Sequence, residues 1–406
     1  QNFFTNYPKI KEHVLGIVGQ VRSVSRHAGG VVIGEELDKH MPLIASKGVR
    51  QTPWSEGQNV RHLEPLGFIK FDILGLSTLR MIEGCIERVL RRHHGINNPN
   101  FADIINYYNE TLHPDVLDID NQKVYEEVFH KGKFAGIFQF TETGAQALAT
   151  KAKPRSIIDL SAITSIYRPG PLSAGVDKDY ILAKNNPHSI PYLNDTVRNI
   201  TEETYGFLIF QEQIALLAHK LGKNLTLDEG NLLRKVLTKK GTGKGAEVKM
   251  KIHDKFIEGC TEKNIPIKRA KKLWQTFEYF SGYGFNKSHA VSYSMISYQC
   301  AWLYYHYPAE WMASFLDREP ETRKEKAINI AKSHGFEIDN LNVNTSGMHW
   351  EILDNRLVAP LTTIKGLGEK AIEQILANRP FQKIEDFLFN ENIVYSKLNK
   401  KALDVL

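Results

Sequence analysis

A lysine and an aspartate stand two residues apart in one apolar stretch and could together hold a metal ion and a phosphate. The stretch Gly67 to Leu76 has no helical period, which predicts a short strand. Since side chains alternate along a strand, Lys70 and Asp72 are expected on one face, with an apolar face behind them. A carboxylate on a strand can ligate a divalent metal, and a nearby ammonium suits a phosphate. An ordinary edge-strand ion pair would show the same pattern.

Arg168 is a second candidate, because it directly precedes Pro169-Gly170-Pro171. A proline holds the residue before it in an extended conformation, so this turn would present the guanidinium rigidly. Such an arginine suits a bidentate grip on a triphosphate. A helix-terminating turn with an incidental arginine is the alternative.

The segment from Tyr205 to Gln213 predicts a strand that runs into a helix, with Phe210, Gln211 and Gln213 at the junction. Aromatic and amide side chains stack on bases and hydrogen-bond to their edges. The segment therefore suggests a contact with a nucleotide or base pair, although an ordinary capped helix start would look the same.

A buried helix is predicted from Ser288 to Tyr305, where small and apolar residues occur on all sides. Asn286 or Ser288 would cap it. Lys287 and His289 stand at its N-terminus, which predicts an anion site, whereas a single histidine there is more often structural.

Basic residues concentrate between Lys220 and Lys272, where fifteen Lys and Arg face six Asp and Glu. Fifteen positive and six negative charges give this segment a net charge of +9, which exceeds the +6 of the whole chain. Such a block predicts a polyanionic partner, although a solvated helical face is equally consistent. The cations we expect to contact nucleic acid are Arg234, Lys235, Lys239 and Lys240.

A glycine-rich turn near the end of the chain, Lys365-Gly366-Leu367-Gly368, lies between apolar positions and is followed by Lys370. The pattern is typical of a helix-hairpin-helix, whose turn offers backbone N–H groups to a DNA phosphate. A helix pair used only for packing is the alternative. A closing helix from Ser396 could complete a second such unit.

Length and composition limit the remaining interpretation. The 406 residues suffice for two to four domains, and 42% hydrophobic content is ordinary for a globular protein. We expect no membrane span and no signal peptide. Three separated cysteines argue against a structural zinc site. A strand is predicted at 134–140 and a loop at 96–125.

In this order, the motifs resemble the C-family replicative DNA polymerases, the alpha subunits of bacterial DNA polymerase III. The resemblance runs from about residue 20 to the end. It includes the motifs that begin at His27, Lys70, Gly136, Tyr167, Thr204 and Gly282.

The resemblance implies an α+β, predominantly helical fold. It places the end of a thumb and the second part of a nucleotidyltransferase-type palm in residues 1–78, helical fingers in 79–320, and a tandem helix-hairpin-helix in 321–406. Asp72 matches a catalytic aspartate that binds Mg²⁺, and Lys70 matches the lysine beside it. The residues expected to hold triphosphate or template are Arg168, Phe210, Gln211, Gln213, Lys239, Lys240, Lys287 and His289. Lys365, Gly366, Gly368 and Lys370 would contact duplex DNA, as would Arg234 and Lys235.

The chain departs from the family at three points. It lacks the Pro-Asp-x-Asp-x-Asp-Phe motif, whose two aspartates bridge both metals, and the usual tyrosine before Gln-Glu-Gln is Phe210. The usual Gly-Lys-Lys is Thr238-Lys239-Lys240. Two-metal chemistry needs more than one carboxylate. We therefore expect a phage or split polymerase in which another polypeptide carries the remaining palm.

The expected partners are primer-template DNA, dNTPs and that second polypeptide, with a sliding clamp as a further candidate and a cytoplasmic location. A non-catalytic DNA-binding or scaffold subunit with this fold is the alternative from another class. Lys70 and Asp72 on one face argue against it, because a scaffold has no use for that pair. An RNA-synthesising relative is a third possibility, since nothing in the chain reads a sugar 2′ position.

Overall fold

The computed structural model describes residues 2–20, 26–46, 48–55, 61–173, 175–238, 244–281, 284–398 and 400–406. Within them the chain divides into two compact units, Gln1–Ser77 and Thr78–Leu406. None of the described helices is long and apolar enough to span a bilayer.

Helices dominate the described residues. They are α1 (Asn2–Asn6), α2 (Pro8–Ile17), α3 (Leu37–His40), α4 (Ser77–His93), α5 (Phe101–Thr111), α6 (Gln122–Val124), α7 (Thr143–Ala152), α8 (Ile157–Ile166), α9 (Pro169–Ser173), α10 (Val176–Asn185), α11 (Asp195–Thr201), α12 (Gln211–Leu221), α13 (Leu227–Thr238), α14 (Lys244–Glu262), α15 (Ile267–Ser281), α16 (Lys287–His306), α17 (Pro308–Arg318), α18 (Lys324–Ser333), α19 (Glu369–Asn378), α20 (Ile384–Leu388) and α21 (Lys400–Val405). The predominantly helical α+β fold expected from the sequence is confirmed.

Strands are few and short in the described chain. They are β1 (Gly30–Val32), β2 (Ile44–Ser46), β3 (Val49–Gln51), β4 (Lys70–Asp72), β5 (Ile338–Asp339), β6 (Glu351–Leu353) and β7 (Arg356–Val358). Three small sheets result, in the orders β1-β4, β2-β3 and β5-β7-β6. β5 runs parallel to β7, and the other pairs are antiparallel.

The first unit contains β1 to β4 and little core. Its buried apolar side chains among the described residues are Met41 and Leu63. The strand predicted from Gly67 to Leu76 pairs with β1 only over Lys70–Asp72. β1 is itself three residues long, and just beyond the paired residues the Ile73 N–H still donates to the Gly29 carbonyl at 2.7 Å.

The main core of the second unit forms around the buried helix α16, whose prediction is confirmed. Ser294 of α16 lies 3.1 Å from Ser161 of α8 between their hydroxyl oxygens, and Tyr298 donates to the Asp118 carbonyl. α4 packs one face against this core through its buried side chains Met81, Ile82, Cys85, Ile86, Val89 and Leu90. Their spacing of three and four residues is that of an amphipathic helix.

Two predicted elements of this core are wrong. Residues 134–140 form successive turns instead of a strand, because Gly136 and Gln139 both adopt positive φ, 69° and 67°. Residues 96–125 contain the helix α5, for which Asn100 and Asp103 form a capping box. An Asn-rich stretch therefore supplied a helix cap as well as loop residues.

A second core lies among the helices α12 to α15, through side chains such as Leu217, Phe256, Trp274 and Phe277. A third core joins the C-terminal helices, where Leu361, Leu367, Ile372 and Ile375 are buried. The closing helix α21 begins at Lys400 and not at the predicted Ser396.

Candidate active site and nucleic-acid interface

Lys70 and Asp72 lie on the same face of the ribbon formed by β1 and β4, as their spacing predicted. Lys70 Nζ is 3.3 Å from Asp72 Oδ1, and His27 Nδ1 is 3.7 Å from the same oxygen. The Asp72 side chain is 57% exposed, whereas that of Lys70 is 19% exposed. The ribbon thus presents one accessible carboxylate next to two nitrogen groups.

Gly29 and Gly30 make this arrangement possible. A Cβ at Gly29 would lie 3.0 Å from the Ile73 carbonyl oxygen, and one at Gly30 would lie 3.0 Å from His27 Nδ1. These distances are shorter than ordinary contacts. The glycines therefore serve the close approach of two chain segments, and His27 joins the site as a residue to which the sequence assigned no role.

The face of the ribbon behind Lys70 and Asp72 is apolar and exposed. Ile69 is 66%, Phe71 44% and Ile73 70% exposed. A group of large exposed apolar side chains is typical of a surface that another protein segment covers.

The described residues include no group of three or more His, Cys, Asp or Glu that could hold a metal ion. Mg²⁺ prefers an octahedral set of oxygen ligands, and Asp72 supplies one carboxylate. The described residues do not by themselves fit a Mg²⁺ site, so Asp72 can contribute a ligand only to a site completed by other groups.

A second constellation surrounds the ring of Phe285 in the other unit. The Arg168 guanidinium lies over this ring, with Cζ 3.9 Å from the centroid. His289 meets the same ring edge-on at 5.3 Å, and its ring centroid lies 4.1 Å from that of Tyr293 at a tilt of 38°. Partial burial lowers the pKa of Arg168, but a guanidinium stays charged throughout the working range of a protein. The exposed Arg168 and His289 side chains are therefore oriented by one aromatic group.

The N-terminus of α16 is not the open anion site that the sequence predicted. The Glu212 carboxylate accepts from the Lys287 backbone N–H and the Asn286 side chain, both at 2.9 Å. Asn286 caps the helix by accepting from the His289 N–H. Lys287 Nζ donates to both Glu203 carboxylate oxygens at 2.7 Å. Protein carboxylates therefore take the backbone and side-chain donors at Lys287, whereas the side chain of His289 is exposed.

Phe210 and Gln213 do not reach the surface, so the prediction that they contact a nucleotide is corrected. They are 0% and 2% exposed. Gln213 accepts from the backbone N–H groups of Ile209 and Phe210 and donates to Thr204 Oγ1 at 2.8 Å. These two residues fix the start of α12 instead.

Gln211 also has a positioning role. Its side-chain amide donates to the Gly284 carbonyl at 2.8 Å, and its oxygen accepts from Arg234 at 3.0 Å. Arg234 is thereby held against the start of α12, while the neighbouring Lys235 is exposed. Lys239 and Lys240 lie outside the described residues.

The predicted helix-hairpin-helix turn lies at the surface, next to the third core. Gly366 has a φ of +104°, a conformation that favours glycine. Lys365, Gly366, Gly368 and Lys370 are all exposed, as a phosphate contact requires. A Cβ on Gly366 would lie 3.6 Å from Lys401 Cε. Lys401 is thus a further cation beside the turn, which the sequence could have indicated only through the pairing of α21 with this hairpin.

Comparison with known proteins identifies similar sequences along the whole chain. Residues 80–264 match the bacterial DNA polymerase III alpha subunit finger domain, residues 3–75 its NTPase domain, and residues 335–406 a helix-hairpin-helix motif. The DNA polymerase III subunit alpha of Aquifex aeolicus is 35% identical over 98% of this chain, that of Thermus aquaticus 32% over 98%, and that of Campylobacter jejuni 30% over 100%. The chain spans 33%, 31% and 33% of those relatives, respectively.

Proposed function

Because the chain belongs to the family of bacterial DNA polymerase III alpha subunits, we propose that it takes part in template-directed DNA synthesis. It spans about a third of its relatives, so a complete polymerase requires further residues. We assign residues 1–78 to the end of a thumb and part of a palm, 79–320 to fingers and 321–406 to the tandem helix-hairpin-helix region.

The observation that carries this proposal is the position of Lys70 and Asp72 on one accessible face, with 3.3 Å between Nζ and Oδ1. In a complete palm, Asp72 would be one ligand of a two-metal site whose other carboxylates lie outside the described residues. Bound Mg²⁺ would stabilise the charge that develops when a primer 3′-hydroxyl attacks the α-phosphate of a dNTP. Lys70 would place its ammonium against a substrate oxygen.

The exposed apolar face formed by Ile69, Phe71 and Ile73 supports the same assignment. A two-stranded ribbon is marginal by itself and needs a surface to cover its apolar side. The remaining palm, on this polypeptide or on another, would supply that cover together with the missing carboxylates.

Arg168 and His289 are the residues that we propose for holding the incoming triphosphate, since both side chains are exposed and share Phe285 as a support. Lys287 would join them after leaving Glu203. Lys239 and Lys240 stay candidates for the same task. Arginine and lysine at such a site stabilise the charge of the transferring phosphoryl group.

Duplex DNA would bind at the helix-hairpin-helix turn. Backbone N–H groups near Gly366 and Gly368 would meet a phosphate, and Lys365, Lys370 and Lys401 would surround it. Such contacts position the duplex without reading its sequence. Lys235 is a further candidate for DNA binding. A sliding clamp is a candidate partner for processivity.

Primer extension with Mg²⁺ tests the proposal, using the chain alone and with the polypeptide that carries the remaining palm. We expect DNA synthesis from dNTPs in the complete system and no synthesis when this chain is left out. If the complete system makes no DNA but still binds DNA in a salt-sensitive manner, the proposal is contradicted and a scaffold subunit is favoured. Parallel reactions with rNTPs identify an RNA-synthesising relative.

A further inference from the structure

Helix α15 begins with four exposed basic side chains that have no acidic partner among the described residues, namely Lys268, Arg269, Lys271 and Lys272. Other lysines of the same basic segment are paired, such as Lys249 with Glu278 and Lys255 with Glu229. Like charges three and four residues apart destabilise a helix, and positive charge in its first turn opposes the helix dipole. An anionic ligand would offset both effects.

An apolar groove of about 480 Å³ lies beside these cations. Arg269 and Lys272 line it from α15, and Leu208 and Leu217 contribute buried apolar side chains. Pockets of this size accommodate a small organic group such as one nucleoside. The groove therefore combines an apolar interior with a positively charged border.

Tyr192 supplies an aromatic ring to the same groove. Its side chain is half-buried, and burial together with the Glu202 carboxylate raises the pKa of its hydroxyl. Glu202 is itself paired with Arg198 at 3.5 Å, so the nearby negative charge is partly compensated. Aromatic rings in basic grooves stack on nucleobases regardless of sequence.

We propose that this groove binds a segment of single-stranded nucleic acid, with one base against Tyr192 and the adjoining phosphates on Arg269 and Lys272. The combination favours a single strand over a duplex, since a duplex hides its base faces and would leave the apolar lining unused. It favours nucleic acid over an acidic peptide, because the ring offers a stacking surface that carboxylate side chains cannot use. The site lies outside the contacts assigned above and rests on the proposed function only for the class of ligand.

Fluorescence anisotropy with a labelled oligothymidylate and, separately, a blunt duplex tests this inference on the whole chain. Arg269→Ala/Lys272→Ala should weaken oligothymidylate binding and lower the slope of log affinity against log salt by about 1.4, the value for two lost phosphate contacts. Tyr192→Ala should weaken it at least about fivefold, while Tyr192→Phe keeps most of the affinity. Lys151→Ala/Lys178→Ala, which removes two exposed cations outside the groove, is the matched control.

Duplex affinity should stay the same in all these variants, because we assign duplex binding to the hairpin turn. An equal loss for duplex and single strand, or no loss in Tyr192→Ala, would overturn the inference. Competition by polyglutamate as strong as that by unlabelled oligothymidylate would assign the groove to an acidic peptide instead. None of these readouts needs DNA synthesis, so a failure here is distinct from a failure of the proposed function.

Discussion

The guanidinium of Arg168 stacks on the ring of Phe285, with 3.9 Å between Cζ and the ring centroid. The ring is itself fixed, because the Phe285 backbone donates to Ile209 and accepts from Gln211 at 3.0 and 2.9 Å. A residue before a proline-rich turn is thus held by an aromatic group from a distant loop. Phe285 is a positioning residue for Arg168 and, through its edge, for His289.

Phe285→Leu should raise the KM for dNTP by about two- to fivefold, since an exposed cation–π contact contributes roughly 0.5–1 kcal/mol. The turnover number should change little, because the arginine itself is kept. Steady-state primer extension by the complete polymerase measures both constants. Phe101→Leu, at a side chain that is 70% exposed on α5, serves as the control. A lower turnover number with unchanged KM would contradict the positioning role.

Asp72→Asn should reduce DNA synthesis more than about a hundredfold. Loss of a residue that only hydrogen-bonds to a metal ligand costs up to roughly that factor, and Asp72 is proposed to bind the metal directly. DNA binding should stay nearly intact, because the amide has almost the same shape. Single-turnover extension and anisotropy with a primer-template measure the two properties. Asp38→Asn on α3 is a matched control in the same unit. A loss of DNA binding as large as the loss of synthesis would count against Asp72 as a metal ligand.

Arg88→Met should destabilise the second unit by about 3 kcal/mol, because the nearly buried Asp317 carboxylate loses its guanidinium partner and keeps, among the described residues, the Trp350 N–H and the exposed His349 nearby. Arg88 also donates to Ser314 Oγ and to the Trp350 carbonyl, so it joins α4, α17 and the chain before β6. Urea unfolding followed by tryptophan fluorescence measures the change. The double variant Arg88→Met/Asp317→Asn should lose less than the sum of the single variants.

Arg80→Met is the control for this experiment, since that arginine is exposed and its ion pair among the described residues is with Glu83, within α4. It should cost less than about 0.5 kcal/mol. Strictly additive losses in the Arg88 and Asp317 variants would show that the buried pair is not coupled.

His349 should make the stability of the second unit depend on pH. The Asp317 carboxylate, whose Oδ1 lies 3.8 Å from His349 Nδ1, raises the pKa of His349. Its contribution is therefore complete below the ordinary value of 6.5 and disappears as the pH rises through the raised pKa. The effect should stay below about 1 kcal/mol, because the imidazole side chain is 73% exposed.

Thermal unfolding near pH 6 and pH 8 tests this dependence in the wild type and in His349→Gln, which should lose less stability on going to the higher pH. Asp317 gives the opposite dependence of stability on pH, at the acidic end. Burial alone would raise the pKa of this carboxyl, but the nearby His349 imidazole and the charge of Arg88 hold it below its ordinary value. Its contribution is thus present above 3.8 and is lost as the pH falls through the lowered pKa. An identical pH profile in His349→Gln would contradict the role of the pair.

Gly366→Ala and Gly368→Ala should separate folding from DNA binding at the hairpin turn. Alanine at Gly366 must adopt a φ of +104°, which should destabilise the C-terminal core by at least about 1 kcal/mol. A Cβ at Gly368 meets no atom within 4 Å, so that variant should fold normally but hinder a phosphate at the surface. Thermal unfolding and duplex anisotropy distinguish the two. Unchanged duplex affinity in Gly368→Ala would argue against phosphate binding at this turn.

The sequence by itself determined the features that depend on local order. Alternation along β4 placed Lys70 beside Asp72, and the composition of residues 288–305 required a buried helix. The glycine spacing near Gly366 and the order of the motifs along the chain identified the family. Such features follow from chain geometry and side-chain chemistry within a few residues, so they are readable without a fold.

Only the tertiary structure decided which of the candidate residues face outward. Phe210 is buried and Lys287 is held by Glu203, because the chain before α12 pairs with the chain before α16 and brings the two helix starts together. His27, Glu212, Phe285 and Lys401 acquired their roles from partners far away in the sequence. Burial and ion pairing are set by long-range packing, and local sequence patterns do not reveal which distant surfaces will meet.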